Sequence, residues 1–450
     1  MSSEWVDLST TAFGFIMLGF FVVGYFFIAT EEQFKIDKAK PALFLGTSMF
    51  IFIGFYYHFN GYSMGPLEHE IDHLILEIAE IFFFLYVAMT FIEALVDRKV
   101  FDVLKHNLIS KGYTYRQLFW VTGFIAFFLS PVADNLTTAL ILSTVLITLE
   151  KERKDFLVPG AINIVVAANA GGAWSPFGDI TTLMAWTAGK GAFVDFMFLF
   201  PASILGWLAT AFILSKFVPQ EKPKPLGNEE IPTILPGGKK IIYLGVFTIA
   251  TAVLGKQLFH LPPMWGMLFG LSILKLYSYS LKEVSKEANS PDIFHAISKI
   301  EHNTLIFFVG ILGAVGALHF LGFLNLAVQL YDMYSPTAVN IGVGVLSAIV
   351  DNVPVMSAVL KANPEIGLDQ WMLVTLTAGV GGSLISFGSA AGVGVMGRMH
   401  GIYTFGSHMK YAWTVAIGYI VSVSVWYLQF EVLHLYMPHA VAGATGTPAH

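Results

Sequence analysis

The sequence predicts an all-α polytopic membrane protein with two inverted-topology repeats, each holding a re-entrant helical hairpin and a broken transmembrane helix. Three observations predict this fold. First, 55% of the 450 residues are hydrophobic and 12% are charged, with a mean hydropathy of +0.67. That is too apolar for a surface that must face water. Second, apolar runs of about 20 residues, enough to cross a bilayer core of roughly 30 Å, begin near Thr11 and recur to near Leu433. Third, a polar motif occurs twice inside apolar stretches: Ser130-Pro131-Val132-Ala133-Asp134-Asn135, then Ser347-Ala348-Ile349-Val350-Asp351-Asn352. A Gly-rich element follows each copy, Gly171 to Asp179 and Gly381 to Ser389, and the two align without gaps. A duplicated, broken, polar intramembrane segment is the mark of a transporter.

About ten crossing segments are expected, at 11–30, 41–59, 73–96, 156–189, 193–216, 241–258, 264–281, 302–331, 371–397 and 409–433. The first lacks a basic region before it and a small-residue cleavage site after it, so it reads as a retained span. Leu118–Leu149 carries Asp134 near its centre, leaving arms of roughly 12 to 15 residues, which suit a re-entrant hairpin. Basic residues test that reading. With the hairpin, Lys and Arg gather on one side, and only Lys190, Lys256 and Lys361 fall on the other. Lys275 lies within a span near the basic side. The positive-inside rule then makes the basic side cytoplasmic and puts both termini outside, in the periplasm. A single crossing at Leu118–Leu149 would split the clusters at Arg98–Arg116 and Lys151–Lys154 between two faces.

The second hairpin, Pro336–Leu360, has both ends outside under the same accounting. The expected units are a first repeat at 1–217 with the hairpin 118–149, a cytoplasmic linker at 218–240, a second repeat at 241–433 with the hairpin 336–360, and a disordered tail at 434–450. The two hairpin tips would face each other near the midplane. There is no cysteine, so disulfides and thiolate metal sites are excluded. No nucleotide fingerprint or nucleic-acid motif occurs, and no catalytic residue or cofactor is expected. The lipid bilayer is the expected surrounding.

Helix breaks in lipid expose backbone groups that need protein, water or an ion as partners. Each tip offers a carboxylate, an amide oxygen and nearby hydroxyls, an all-oxygen environment suited to a small hard cation. The candidate ion-binding residues are Asp134, Asn135, Thr138, Asn169, Ser175, Asp179, Thr182, Asp351, Asn352, Ser383, Ser386 and Ser389. The cation itself is assigned to Asp134, Asn135, Asp351 and Asn352. The plainer reading is that the glycines only allow close helix packing; two matched breaks, each paired with an Asp-Asn tip, favour the functional one. Ionisable groups in hydrocarbon cost at least ~2.5 kcal/mol and call for an explanation. A desolvated carboxylate prefers its proton unless a cation takes the proton's place, which couples the two. Asp134, Asp351 and Glu80 are therefore the proton-coupling candidates. Glu77 and Glu93 read either as proton-accessible groups facing the bundle interior or, standing nearer the two surfaces, as carboxylates that water solvates. His319 reads as a hydrogen-bonded structural histidine in preference to a titrating one.

At these motifs the chain resembles the NhaD-type sodium/proton antiporters of the ion transporter superfamily. The residues carrying the resemblance are Ser130 to Leu140, Ala168 to Asp179 and Ile349 to Pro354. The resemblance implies a homodimer in which a scaffold holds a mobile part that moves as an elevator. It also implies Na+ and Li+ as transported ions, exchanged for H+ across a bacterial inner membrane. Relatives in the superfamily carry dicarboxylates or arsenite, so a coupled anion transporter is the alternative. Two aspartates at the tips, with no Lys or Arg in either hairpin, disfavour a dianion. A more remote alternative is an intramembrane aspartyl hydrolase, which needs its carboxylates close enough to share a proton.

Overall fold

The computed structural model describes residues 5–34, 36–223, 232–284 and 292–435. Lys35, part of the 218–240 linker and the expected tail from 436 onward lie outside them. In the described residues the regular elements are all helical, and nine helices are long and apolar enough to cross a membrane.

The chain begins with α1 (Ala12–Ala29), the short α2 (Glu31–Phe34), α3 (Ala39–Phe59) and α4 (Gly65–Asp97). Pro66 at the start of α4 presets the first turn, so this helix begins eight residues before the expected 73. α5 (Val100–Ser110) lies in the basic connection. The first hairpin is α6 (Tyr115–Ala133) and α7 (Asn135–Leu149). Its ends meet: the Tyr115 hydroxyl donates to Glu150 Oε2 at 2.5 Å. α6 is longer than the expected arm, and with its ends together the hairpin returns the chain to the face it left. α8 (Lys154–Ala173) is buried along its length from Phe156, α9 (Ile180–Thr187) continues it after a break, and α10 (Phe193–Met197) precedes α11 (Phe200–Leu214). The expected span 193–216 is thus two helices with a joint at Phe198–Leu199.

In the second half come α12 (Gly238–Phe259), α13 (Pro263–Tyr279), α14 (Ile293–Lys299) and α15 (His302–Phe320). The expected span 302–331 is corrected here: Gly322, at φ 95°, ends it. α16 (Asn325–Met333) then runs with no buried residue. The second hairpin is α17 (Pro336–Val350) and α18 (Asn352–Ala362), and the broken helix is α19 (Leu368–Gly381) with α20 (Ala390–Arg398). The short α21 (Phe405–Met409) leads to α22 (Ala412–Tyr427).

Packing sorts the helices into two bundles. In one, α1 packs on α3, α3 on α15 and α15 on α4, and α12, α13 and α14 also pack on α4. α3 and α15 approach closely at Gly46 and Gly310: a Cβ on Gly46 would stand 2.2 Å from the Gly310 carbonyl oxygen. The other bundle holds both hairpins and both broken helices around α8, with α11 and α22 against it.

Polar contacts define two faces. On one, Lys299 meets Asp97, Asn303 meets Asp37, and Arg398 meets Thr144. On the other, Trp5 donates to the Phe320 carbonyl, Lys361 meets Glu77, and Gln370 joins Thr337 to Glu431. Trp5 thus packs at the end of α15, and Glu431 beside the starts of α17 and α19.

Candidate functional site

Both hairpins turn on an aspartate with positive φ. Asp134 has φ 56° and ψ 163°, and Asp351 has φ 76° and ψ 144°. Each ends one helix and caps the next: Asp134 accepts from the Thr137 N–H at 2.8 Å and hydroxyl at 2.7 Å, and Asp351 from the Val353 N–H at 3.5 Å. The two broken helices repeat the device. Asp179 caps α9 through the Thr181 N–H, and Ser389 caps α20 through the Gly392 N–H. Four half-helix N-termini in the hairpin bundle thus end in oxygen-bearing caps, three of them carboxyl groups. Three of these partial positive charges thus already meet a carboxyl group of the protein, and the fourth a hydroxyl.

The amides of the tips turn inward and join the breaks. Asn135 Nδ2 donates to Asn169 Oδ1 at 3.1 Å, and Asn169 Nδ2 donates to Ser383 Oγ and Ser389 Oγ, both at 2.8 Å. Asn352 Nδ2 reaches Asp179 Oδ1 and Oδ2 at 3.4 and 3.3 Å. Each half therefore supplies partners to the other. The backbone is held by matched serines: Ser130 Oγ donates to the Ala168 carbonyl at 2.6 Å, and Ser347 Oγ to the equivalent Ala378 carbonyl at 3.0 Å. Ser175 Oγ donates to the Pro131 carbonyl, and Thr182 Oγ1 to the carbonyls of Gly172 and Ala173 freed by the break. Thr138 Oγ1 and Ser386 Oγ are buried without a hydrogen-bond partner among the described residues. Buried hydroxyls are normally paired, so these two are free oxygens in the same bundle.

Asp134 and Asp351 both lie within electrostatic reach of Asp179, and among the described residues each tip carboxylate is held by a different partner. Asp134 folds onto its own helix, and Asp351 is taken by Lys38, whose Nζ stands 3.4 Å from Oδ2. Sequence reasoning missed Lys38, which belongs to a basic run read only as a cytoplasmic marker. Asp179 is also held across the halves, by the tip amide of Asn352. Glu80 is half-buried on α4 and within electrostatic reach of Lys256, outside the hydrogen bonds that the tips make among the described residues. Glu77 pairs with Lys361 at 2.9 Å. His319 Nδ1 is 3.0 Å from Glu70 Oε1, the hydrogen-bonded role expected. Among the described residues no cluster of three or more His, Asp or Glu gathers as a metal site. The oxygens on offer are amide, hydroxyl, carbonyl and single carboxylates, a weak-field set that suits a monovalent cargo better than a resident metal.

Comparison with known proteins places this arrangement. A family model described as a citrate transporter matches residues 11–379. The Na(+)/H(+) antiporter NhaD of Vibrio cholerae serotype O1 is 42% identical over 458 residues, covering 96% of this chain and 94% of the relative. The chain belongs to the NhaD family of sodium/proton antiporters. The NhaD protein of Alkalimonas amylolytica is 42% identical over 456 residues, with the same coverage of both chains. Sodium/proton antiporter 1 of Arabidopsis thaliana is 31% identical over 437 residues, 94% of this chain and 73% of the relative. Membership of the NhaD family makes the chain a multi-span membrane transporter and removes the hydrolase reading.

Proposed function

We propose that this chain exchanges Na+ for H+ across a bacterial inner membrane, with Li+ accepted at the same site. The observation that carries the proposal is the oxygen-lined junction of four capped half-helices, Asp134, Asp179, Asp351 and Ser389, tied together by Asn135, Asn169 and Asn352. An ion entering it exchanges its hydration shell for Asp179, the amide oxygens and the free hydroxyls of Thr138 and Ser386. A proton satisfies the same carboxylates, so the two compete and one leaves as the other arrives. The matched contacts of Ser130 and Ser347 support an inverted repeat relating the halves. The two-bundle packing supports an elevator in which the hairpin bundle moves against the other. The basic face is cytoplasmic and both termini are periplasmic in this reading. A homodimer rests on family resemblance.

The family model described as a citrate transporter favours one second reading, a coupled anion carrier. Against it, three of the four half-helix N-termini that would hold an anion are already capped by carboxyl groups. Purified protein in liposomes with an imposed pH gradient separates the two. Collapse of the gradient on adding NaCl or LiCl, with none from KCl or a dicarboxylate salt, supports the antiporter. A dicarboxylate-dependent signal alone refutes it. Asp134→Asn, correctly inserted, abolishes exchange; unchanged exchange in that variant removes Asp134 from the site.

A further inference from the structure

Among the described residues, a partly buried ion pair joins the two bundles toward the basic face. Lys38, immediately before α3 in one bundle, reaches the Asp351 tip of the second hairpin in the other at 3.4 Å, with 17% and 10% of the two side chains exposed. Its Nζ also stands 4.4 Å from the centre of the Phe307 ring on α15, which holds the ammonium in place. Lys38 and Glu31 line two adjoining cavities of about 260 and 450 Å³. The first holds Tyr25, Ile349 and Asp351 in its wall, and the second Asp37, Glu301 and Arg398. Glu31 stands beside the lysine, accepting the Lys38 backbone N–H at 3.2 Å.

We infer that Lys38 is a tethered cation that occupies the Asp351 carboxylate while the exchanged ion is absent, and that Na+ entering from this cavity displaces it and unlatches the hairpin bundle. An ammonium and a sodium ion at one carboxylate repel each other, so Na+ on Asp351 weakens the hold of Lys38. When Na+ takes Asp351, Glu31 on the lysine's own bundle is the adjacent anion that receives the released charge. The pair across the bundle boundary is then gone. With Asp351 empty, the ion pair keeps the bundles together, so the carrier does not return unloaded and exchange stays obligatory. Lys38 is thus a positioning residue for coupling. The inference rests on the antiporter reading.

The test reconstitutes wild-type, Lys38→Gln and Lys38→Arg proteins and follows 22Na+ efflux and proton uptake in the same vesicles. Lys38→Gln loses the internal competitor and the latch. Its KM for Na+ falls at least about threefold, and the Na+ moved per proton rises at least about twofold, as a ligand competing for one of two states requires. Lys38→Arg keeps the charge and stays near wild type in both. Coupled exchange with unaltered KM and ratio in Lys38→Gln overturns the inference, as does equal loss in both variants, which signals packing. Wild-type vesicles that exchange no Na+ for H+ overturn the antiporter reading itself, a different outcome from intact exchange in the variant. A second measurement needs no change at Lys38: the chain has no cysteine, so Ile349→Cys gives one thiol in the cavity wall. Na+ changes its labelling rate by an impermeant reagent from the basic face at least about twofold; a rate indifferent to Na+ overturns the latch.

Discussion

Asp134 and Asp351 both hold backbone angles that glycine favours. A side chain there costs of order 1–3 kcal/mol, retained at positions that the surrounding structure over-determines. Both carboxylates cap a half-helix in return, which recovers about 1 kcal/mol of that cost. Asn169 shows how one residue ties the halves: it bonds Asn135 in its own half and Ser383 and Ser389 in the other. Asn169→Ala leaves those groups without their partner. It should lower exchange at least about tenfold and stability by about 1–3 kcal/mol, read from vesicle flux and thermal unfolding. Gly379, the counterpart of Asn169, has no side chain, and a Cβ there would lie 3.5 Å from Asp179 Oδ2 in ordinary contact. Gly379→Ala is therefore expected to fold normally and to raise the KM for Na+ by crowding Asp179. An unchanged KM places the ion elsewhere. The tips and their amides were legible because Asp and Asn inside apolar runs are costly without a purpose. Lys38 was not, since its partner is 313 positions away and basic residues at a span end have an ordinary explanation.

Helices and hairpins were read well where polarity interrupts an apolar run, and less well where backbone geometry alone decides. Proline and Asp-Asn pairs announced both hairpins. The end of α15 depends on the single φ of Gly322, and α5 and α14 are amphipathic helices within segments read only for charge. The first hairpin is closed at its base by Tyr115 and Glu150. That hydroxyl is the largest influence holding Glu150 below the usual carboxylate range. A depressed carboxylate contributes stability above its unfolded pKa and loses it as pH falls through the folded one. Tyr115→Phe is thus expected to lower the unfolding temperature at neutral pH, and the gap to wild type should close in acid below the carboxylate range. A gap independent of pH would assign the effect to packing. At Gly46 and Gly310 the helices α3 and α15 nearly touch, so Gly310→Leu overpacks the first bundle and should cost about 1–3 kcal/mol or more in unfolding experiments.

At the scale of the whole molecule, two bundles face each other with an ion pair near each face. Lys38 meets Asp351 toward the basic face, and Lys361 on α18 meets Glu77 on α4 toward the other. A stroke of one bundle past the other must break such contacts. Cysteines at positions 77 and 361, joined by a short bismaleimide, should therefore reduce exchange at least about tenfold, as expected when one of two required states is removed. Exchange that persists in fully cross-linked protein contradicts a moving bundle. The central claim is that Na+ and H+ compete for the carboxylates of one junction. Equilibrium 22Na+ binding to the purified protein across a pH series, with Asp179→Asn beside it, tests this most directly. The account predicts that Na+ affinity falls as pH is lowered and that the variant does not bind. Binding that is independent of pH, or intact without the Asp179 carboxylate, would contradict it.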